Sequence, residues 1–286
     1  MLIFVGYALI AASVIGGFTL AGGHLGVLLQ PVELLIIGGS AFAAFMIGAG
    51  GKTMKATGRA FVAALGASPY TKALYLQTLT MLSEIAQRAR REGLLGIEAD
   101  IEDPKNSAIF QKATLLAKER HAMTFLIDYL RMAVAGQLDP HEMDNLMDLE
   151  IETYHHEAMA PVEALRKLAD GLPAFGIVAA VMGVVHTMES VDQPPEVLGQ
   201  LIGAALVGTF LGILLAYGFV APVANLLEQR VSDASKYLQC LKAGLVSFVT
   251  GSAPAVVVEF ARKVIPPSER PDFLELEEHL KKAKGG

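Results

Sequence analysis

A chain of 286 residues with 53% hydrophobic and only 18% charged side chains is more apolar than a typical soluble domain, which holds about 45–50% and about 25% respectively, so part of it belongs in lipid. Its net charge of −6 speaks against nucleic acid as a partner, and a single cysteine excludes an internal disulfide. That residue, Cys240, lies in Tyr237-Leu-Gln-Cys240-Leu-Lys and reads as a small buried thiol.

In chain order, the first element is an uncharged run of 20 residues, Leu2 to Ala21. It lacks a basic leading segment and an Ala-x-Ala cleavage site, so it reads as a retained helix and not a signal peptide. Leu34 to Gly51 is a second run, of 18 residues. A bilayer core of about 30 Å takes roughly 20 helical residues, so both are long enough to span it. The following segment predicts helices. Ser68-Pro69 is an N-cap with proline at the first helical position, opening a helix to about Arg91. A further helix is expected from about Ser107 to Ala135. Asp139-Pro140-His141-Glu142 has the spacing of a capping box and opens a long acidic helix to about Leu168. Leu172 to Met188 is a third apolar run, of 17 residues, and Val197 to Leu227 a fourth, of 31, longer than a span and expected to continue as a helix in water. The helix then reaches about Phe248, Ser252-Ala-Pro254 starts another, and Pro266-Pro267 ends it. Glu275 to Lys284 reads as a charged, mobile end. No alternating strand pattern stands out, so the fold class is all-α: four transmembrane helices and a helical cytoplasmic domain.

Orientation follows from the cations. No Lys or Arg occurs from Met1 to Gly51 or from Leu168 to Gln229; fourteen lie between Lys52 and Lys167 and nine from Arg230 onward. The positive-inside rule then puts residues 52–170, the tail 228–286 and both termini in the cytoplasm, between and after membrane hairpins 1–51 and 171–227. The Gly22–Glu33 and Glu189–Glu196 connections become short outer loops, with Pro31, Pro194 and Pro195 as turn residues.

None of the spans has an acidic or basic residue at its centre, although such a residue is the usual mark of an ion pathway. Either the protein is a structural membrane component, or its titratable group comes from another chain. Gly199, Gly203, Gly208 and Gly212 in the fourth span, and Gly176, Ala179, Ala180 and Gly183 in the third, form small-residue stripes that suit helix packing, within the chain or between copies. Thr209 either bonds the carbonyl four residues back or faces a pore. Pro173 fits the start of the third span, whereas Pro222 falls inside an apparently continuous helix and should kink it. Other patterns fail on context. Gly51-Lys52-Thr53 lacks the earlier glycine of a phosphate loop, Met46 standing there, and follows an apolar helix instead of a strand. His155-His156-Glu157 lacks zinc-helix spacing and reads as a solvated face; His186 reads as interfacial. With no nucleophile constellation, no catalytic residue, metal site or cofactor is expected.

Two membrane hairpins around a cytoplasmic helical domain, with Leu172-Pro-Ala-Phe-Gly-Ile-Val-Ala-Ala-Val-Met-Gly-Val-Val-His186 and Val207-Gly-Thr-Phe-Leu-Gly-Ile-Leu-Leu-Ala-Tyr-Gly-Phe219, resemble the MotA family of flagellar stator subunits. Gly93 to Pro104, Met147 to Thr153 and Ser268 to His279 extend the resemblance along essentially the whole chain, in the manner of the longer, proton-driven members of Gram-negative bacteria. The resemblance implies a ring-forming subunit in the inner membrane, with five copies around two MotB helices. A MotB aspartate supplies the proton site, and the ring turns the rotor through FliG. It places Pro173 and Pro222 at the channel's functional prolines and Thr209 opposite the partner's aspartate, with Ala180 and Tyr217 nearby. It assigns Arg90 and Glu98, with Glu150 as a further acidic candidate, to the rotor contact. The alternative is an energiser of envelope transport of the ExbB/TolQ type, similar in forming a ring around a partner helix; those have three spans with the large loop after the first, whereas this chain has four with it after the second. Sodium-driven relatives carry a threonine in the third span, whereas Gly176 to Val185 has no Ser, Thr, Asn or Gln, so protons are the expected coupling ion.

Overall fold

The computed structural model describes residues 2–136 and 139–284. Among these the secondary structure is helical, and four helices are long and apolar enough to cross a membrane. The chain forms two compact units: Met1–Ala67 with Ala158–Gln229, and Ser68–Glu157 with Arg230–Gly286. Residues 52–67 and 158–170, expected in the cytoplasmic domain, cluster with the apolar runs because the helices that carry those runs continue past them.

In the membrane unit, α1 (Leu2–Leu20) has no buried residue of its own. α2 (Pro31–Ala64) continues well beyond the apolar run to Gly51. It is interrupted at Gly50, whose φ of 66° and ψ of 169° leave the helix in a region open to glycine. Glu33 is buried in its first turn, where a carboxylate suits the helix dipole.

The second unit is built around α3 (Lys72–Glu92), with α4 (Glu98–Glu102), α5 (Ala108–Lys112) and α6 (Arg120–Ala135). Buried positions recur at helical spacing: Leu74, Tyr75, Thr78, Leu79 and Leu82 on α3, and Phe125, Leu126, Tyr129 and Leu130 on α6. α3 begins at Lys72, not after Ser68: Ser68 Oγ caps nothing, and Thr71 precedes the helix in extended conformation. The single helix expected from Ser107 to Ala135 is two. Ser107 does cap α5, accepting from Ile109 N and Phe110 N. The chain then leaves the helix, and Leu115 N donates to Gln77 Oε1 on α3 at 3.0 Å. A tertiary hydrogen bond replaces a helical one.

α7 (Pro140–Met188) is a single helix of 49 residues that contributes to both units. Its start is as expected: Asp139 Oδ1 accepts from His141 N and Glu142 N, and Glu142 Oε2 accepts from Asp139 N. Those bonds hold the exposed Asp139 carboxyl below the usual carboxylate range. The expected break before Pro173 is absent. Proline removes one backbone bond, to the carbonyl of Ala169, but α7 stays helical through both Pro161 and Pro173. α8 (Pro195–Ile213) passes through a π-helical stretch, Leu214–Val220, into α9 (Ala221–Val249). Pro222, expected within a regular helix, follows this wider turn. Across this stretch the ladder is one residue wider, and Ala221 N donates to the Ala216 carbonyl.

The tail differs from expectation. α10 (Pro254–Val264) starts at the predicted proline, and α11 (Phe273–Lys284) is an ordered helix, not a mobile end. Asp272 and Glu275 form a second capping box, Lys72 Nζ donates to Glu275 at 2.9 Å, and Leu276 is buried. Cys240 has no exposed surface and donates to the Ala261 carbonyl.

α7 and α8 cross so closely that the crossing requires glycine. A Cβ at Gly212 would stand 2.7 Å from the Leu172 carbonyl oxygen and 2.9 Å from Gly176 Cα. At Gly183 it would meet Ala205 Cβ at 2.7 Å, and at Gly208 it would meet Ala179 Cβ and Ala180 N at 3.2 Å. Four glycines of the two stripes therefore serve packing within the chain, by van der Waals contact where lipid offers no hydrophobic drive. Gly203 has only an ordinary neighbour, Val27 at 3.8 Å, and Gly199 faces open space. Gly212→Ala pushes a methyl against backbone that cannot rotate away and should cost about 1–3 kcal/mol. It should lower the thermal unfolding midpoint in detergent, while Gly199→Ala leaves it unchanged; equal midpoints for the two would refute this crossing.

Candidate functional site

The crossing determines what the two helices present on their other sides. Ala180 N lies against Gly208, the residue before Thr209. On α7, Pro173, Ile177, Ala180 and Val184 recur at helical spacing as one stripe, and Ile177 and Val184 are exposed. Thr209, Ile213 and Tyr217 follow one another along α8 and the π stretch, and Tyr217 is 63% exposed. From Leu172 to Met188 and from Val197 to Leu227 there is no Asp, Glu, Lys or Arg. The result is an apolar face with two polar atoms, the Thr209 hydroxyl and the Tyr217 phenol.

Most helical threonines here bond their own helix; among the described residues Thr209 does not, and it shares this with Thr53 on α2 and the exposed Thr124 on α6. Thr19, Thr57, Thr78, Thr80, Thr153 and Thr187 each donate to the carbonyl four residues back, at 2.7–3.0 Å. Among the described residues Thr209 makes no such bond, although it is half-buried in an apolar span. A free hydroxyl at this depth is a donor and acceptor waiting for a partner.

Around Pro222 the backbone is tied by residues the sequence alone did not single out. Tyr7 of α1 donates its phenol to the Phe219 carbonyl at 2.7 Å, and the two rings sit 4.8 Å apart. The proline and π stretch disturb the carbonyl ladder, and Tyr7 satisfies one of its acceptors. An isolated tyrosine in an otherwise apolar run was the available signal. Arg166 on α7 pairs with Glu228 on α9, beyond both prolines. The pair is half exposed, so its contribution is small and salt-sensitive.

The second unit holds the other predicted residues. Arg90 is exposed in the last turn of α3 and Glu98 is exposed at the start of α4. Neither enters an ion pair among the described residues. Between them the chain reverses at Gly93, whose φ is 79°. Their platform is fixed by neighbours: Arg88 donates to Asp100 Oδ2 and Ser107 Oγ to Asp100 Oδ1, both at 2.7 Å, with Asp100 buried. Glu150 is engaged inside, accepting from Tyr129 OH at 2.8 Å. Burial first, and this bond second, push the Tyr129 phenol up. His155, expected on a solvated face, is half-buried and lies 3.0 Å from Ser235 Oγ. Among the described residues, no three His, Cys, Asp or Glu side chains converge as metal ligands.

Comparison with known proteins agrees with this layout. Residues 4–93 match the motility protein A N-terminal model, and residues 115–240 match that of the MotA/TolQ/ExbB proton channel family. Motility protein A of Salmonella typhimurium is 47% identical over 281 residues, covering 98% of this chain and 95% of that one. The flagellar MotAB stator complex from Bacillus subtilis superposes with a TM-score of 0.75 at 28% identity, covering 98% of each chain. C. jejuni MotAB superposes with a TM-score of 0.78 at 20% identity, covering 95% and 98%, a likeness of fold alone. The chain therefore belongs to the motility protein A family of flagellar stator proton channels.

Proposed function

We propose that this chain forms one wall of a proton channel whose titratable group is carried by a MotB-type partner, and that it converts the flux into torque on the rotor. One observation carries the reading: the apolar stripe on α7 and α8 is exposed, lacks any charge, and presents the unpartnered hydroxyl of Thr209. A surface of that kind suits a second membrane helix bearing a carboxylate, because a proton can then move without any charge of this chain entering the hydrocarbon. Pro173, Ala180, Thr209, Tyr217 and Pro222 border the path.

Five copies around two partner helices is the assembly proposed. The cation distribution supports a cytoplasmic position for both termini and the middle segment, in the bacterial inner membrane. Protons are the coupling ion, because the third span from Gly176 to Val185 offers no side-chain oxygen to a sodium ion. Arg90 and Glu98, exposed and unpaired, are the contact to FliG. Screened surface charges of this sort steer an encounter and tolerate single losses. Glu150, bound to Tyr129, supports the unit that carries them.

The test is motility with protein levels held at normal. Arg90→Ala with Glu98→Ala should abolish swimming while proton flux and complex assembly persist, and either single change should leave most of it. Pro173→Ala should abolish swimming as well. A protonophore should stop the parent strain. Normal swimming by both the double variant and Pro173→Ala refutes the residue assignments, and sodium-driven swimming through the protonophore refutes the coupling ion.

A further inference from the structure

Within the membrane unit, α2 and α7 leave a groove of about 380 Å³ between them. That volume falls in the range of ligand pockets and is roughly a dozen times the ~30 Å³ share of one liquid water. Its walls are apolar: Ala41, Phe45 and Gly48 on α2, Leu168 and Phe175 on α7. Ile37 and Ala41 share a buried cluster with Leu172 and Ala179, so the apolar ends of the two walls coincide. The polar side chains Thr53, Glu163 and Lys167 lie at the opposite end.

The groove therefore crosses the border between hydrocarbon and headgroups. Lys167 is the last cation before the stretch from Leu168 to Gln229 that has none, which sets it at headgroup level. Water does not suit the apolar half, which offers no polar partners. The solvent at that depth is acyl chain. At the polar end, Glu163 and Lys167 sit one helical turn apart, yet among the described residues neither forms an ion pair, with the other or elsewhere. A negative and a positive group, both open and adjacent, match a zwitterion: phosphate toward Lys167, primary ammonium toward Glu163.

We propose that this groove binds a phospholipid with an amine headgroup, drawn from the leaflet on the Lys167 side. One acyl chain fills the space between α2 and α7, and the headgroup rests on Glu163 and Lys167. The lipid completes a pair of helices that small residues alone leave open.

The chain has no tryptophan, so Phe45→Trp adds one reporter to the groove. The full chain with its membrane partner is placed in nanodiscs of phosphatidylethanolamine and phosphatidylglycerol, one of the two carrying brominated acyl chains. Emission is taken as the difference from the parent complex. Brominated phosphatidylethanolamine should quench at about tenfold lower mole fraction than brominated phosphatidylglycerol, and Lys167→Ala should remove about tenfold of that affinity. Glu163→Gln should abolish the preference between the two lipids. Equal quenching by both lipids, unchanged by either substitution, overturns the proposal, since the groove then holds bulk lipid only. Absent quenching, with cross-links between copies at Gly48→Cys, overturns it in favour of a second copy. If Phe45→Trp does not assemble, native mass spectrometry decides with the unlabelled complex. Phosphatidylethanolamine retained by the parent and lost from Lys167→Ala supports the site; equal retention refutes it.

Discussion

An ionised side chain in hydrocarbon is costly, and this chain keeps Asp, Glu, Lys and Arg out of the apolar runs of α7, α8 and the π stretch. Two consequences follow. The spans cannot be joined by ion pairs, so close approach through Gly176, Gly183, Gly208 and Gly212 joins them instead. And a proton finds no carboxylate, lysine or arginine in these runs to bind on its way across. The same constraint that makes the helices comfortable in lipid makes them incomplete as a conductor.

The glycine crossing also orients what remains. With their small residues turned toward each other, α7 and α8 turn Ile177, Val184, Ile213 and Tyr217 outward. Thr209 follows Gly208 of the crossing, and its hydroxyl has no bond within the described chain. The backbone is least regular toward the charged ends of the spans: Gly50 in α2, Pro173 in α7, and the π stretch before Pro222. Each of these lacks part of the helical ladder and is a natural place for bending. Tyr7 at Phe219, and Arg166 at Glu228, are the side-chain ties across one such region. The first is a neutral bond in an apolar setting. The second is half exposed and more easily released.

How far all this was legible depends on range. The four spans were plain, because twenty apolar residues leave little alternative, and the capping box at Asp139 was plain because it is complete within four residues. Asp272 and Glu275 have the same spacing, but among the surrounding charges the pattern is not distinctive, and the segment reads as a mobile end. The break between α5 and α6 was not legible, since Leu115 N bonds to Gln77, a residue distant in sequence. The continuity of α7 through Pro173 was not legible either: a local rule puts proline at a helix start, yet the helix runs on across it and packs against α8 at Leu172 and Gly176. At the site, residue identity was readable and environment was not. Arg90 and Glu98 turn out exposed, as a contact needs, while Glu150 is bound to Tyr129.

The central claim is that this chain is a channel wall and not a channel. Proton flux into proteoliposomes measures it directly, comparing the chain alone, its complex with the single-span partner, and that complex with the partner's membrane aspartate changed to asparagine. Flux should appear only in the intact complex. Flux through the chain alone at the rate of the complex would contradict the claim.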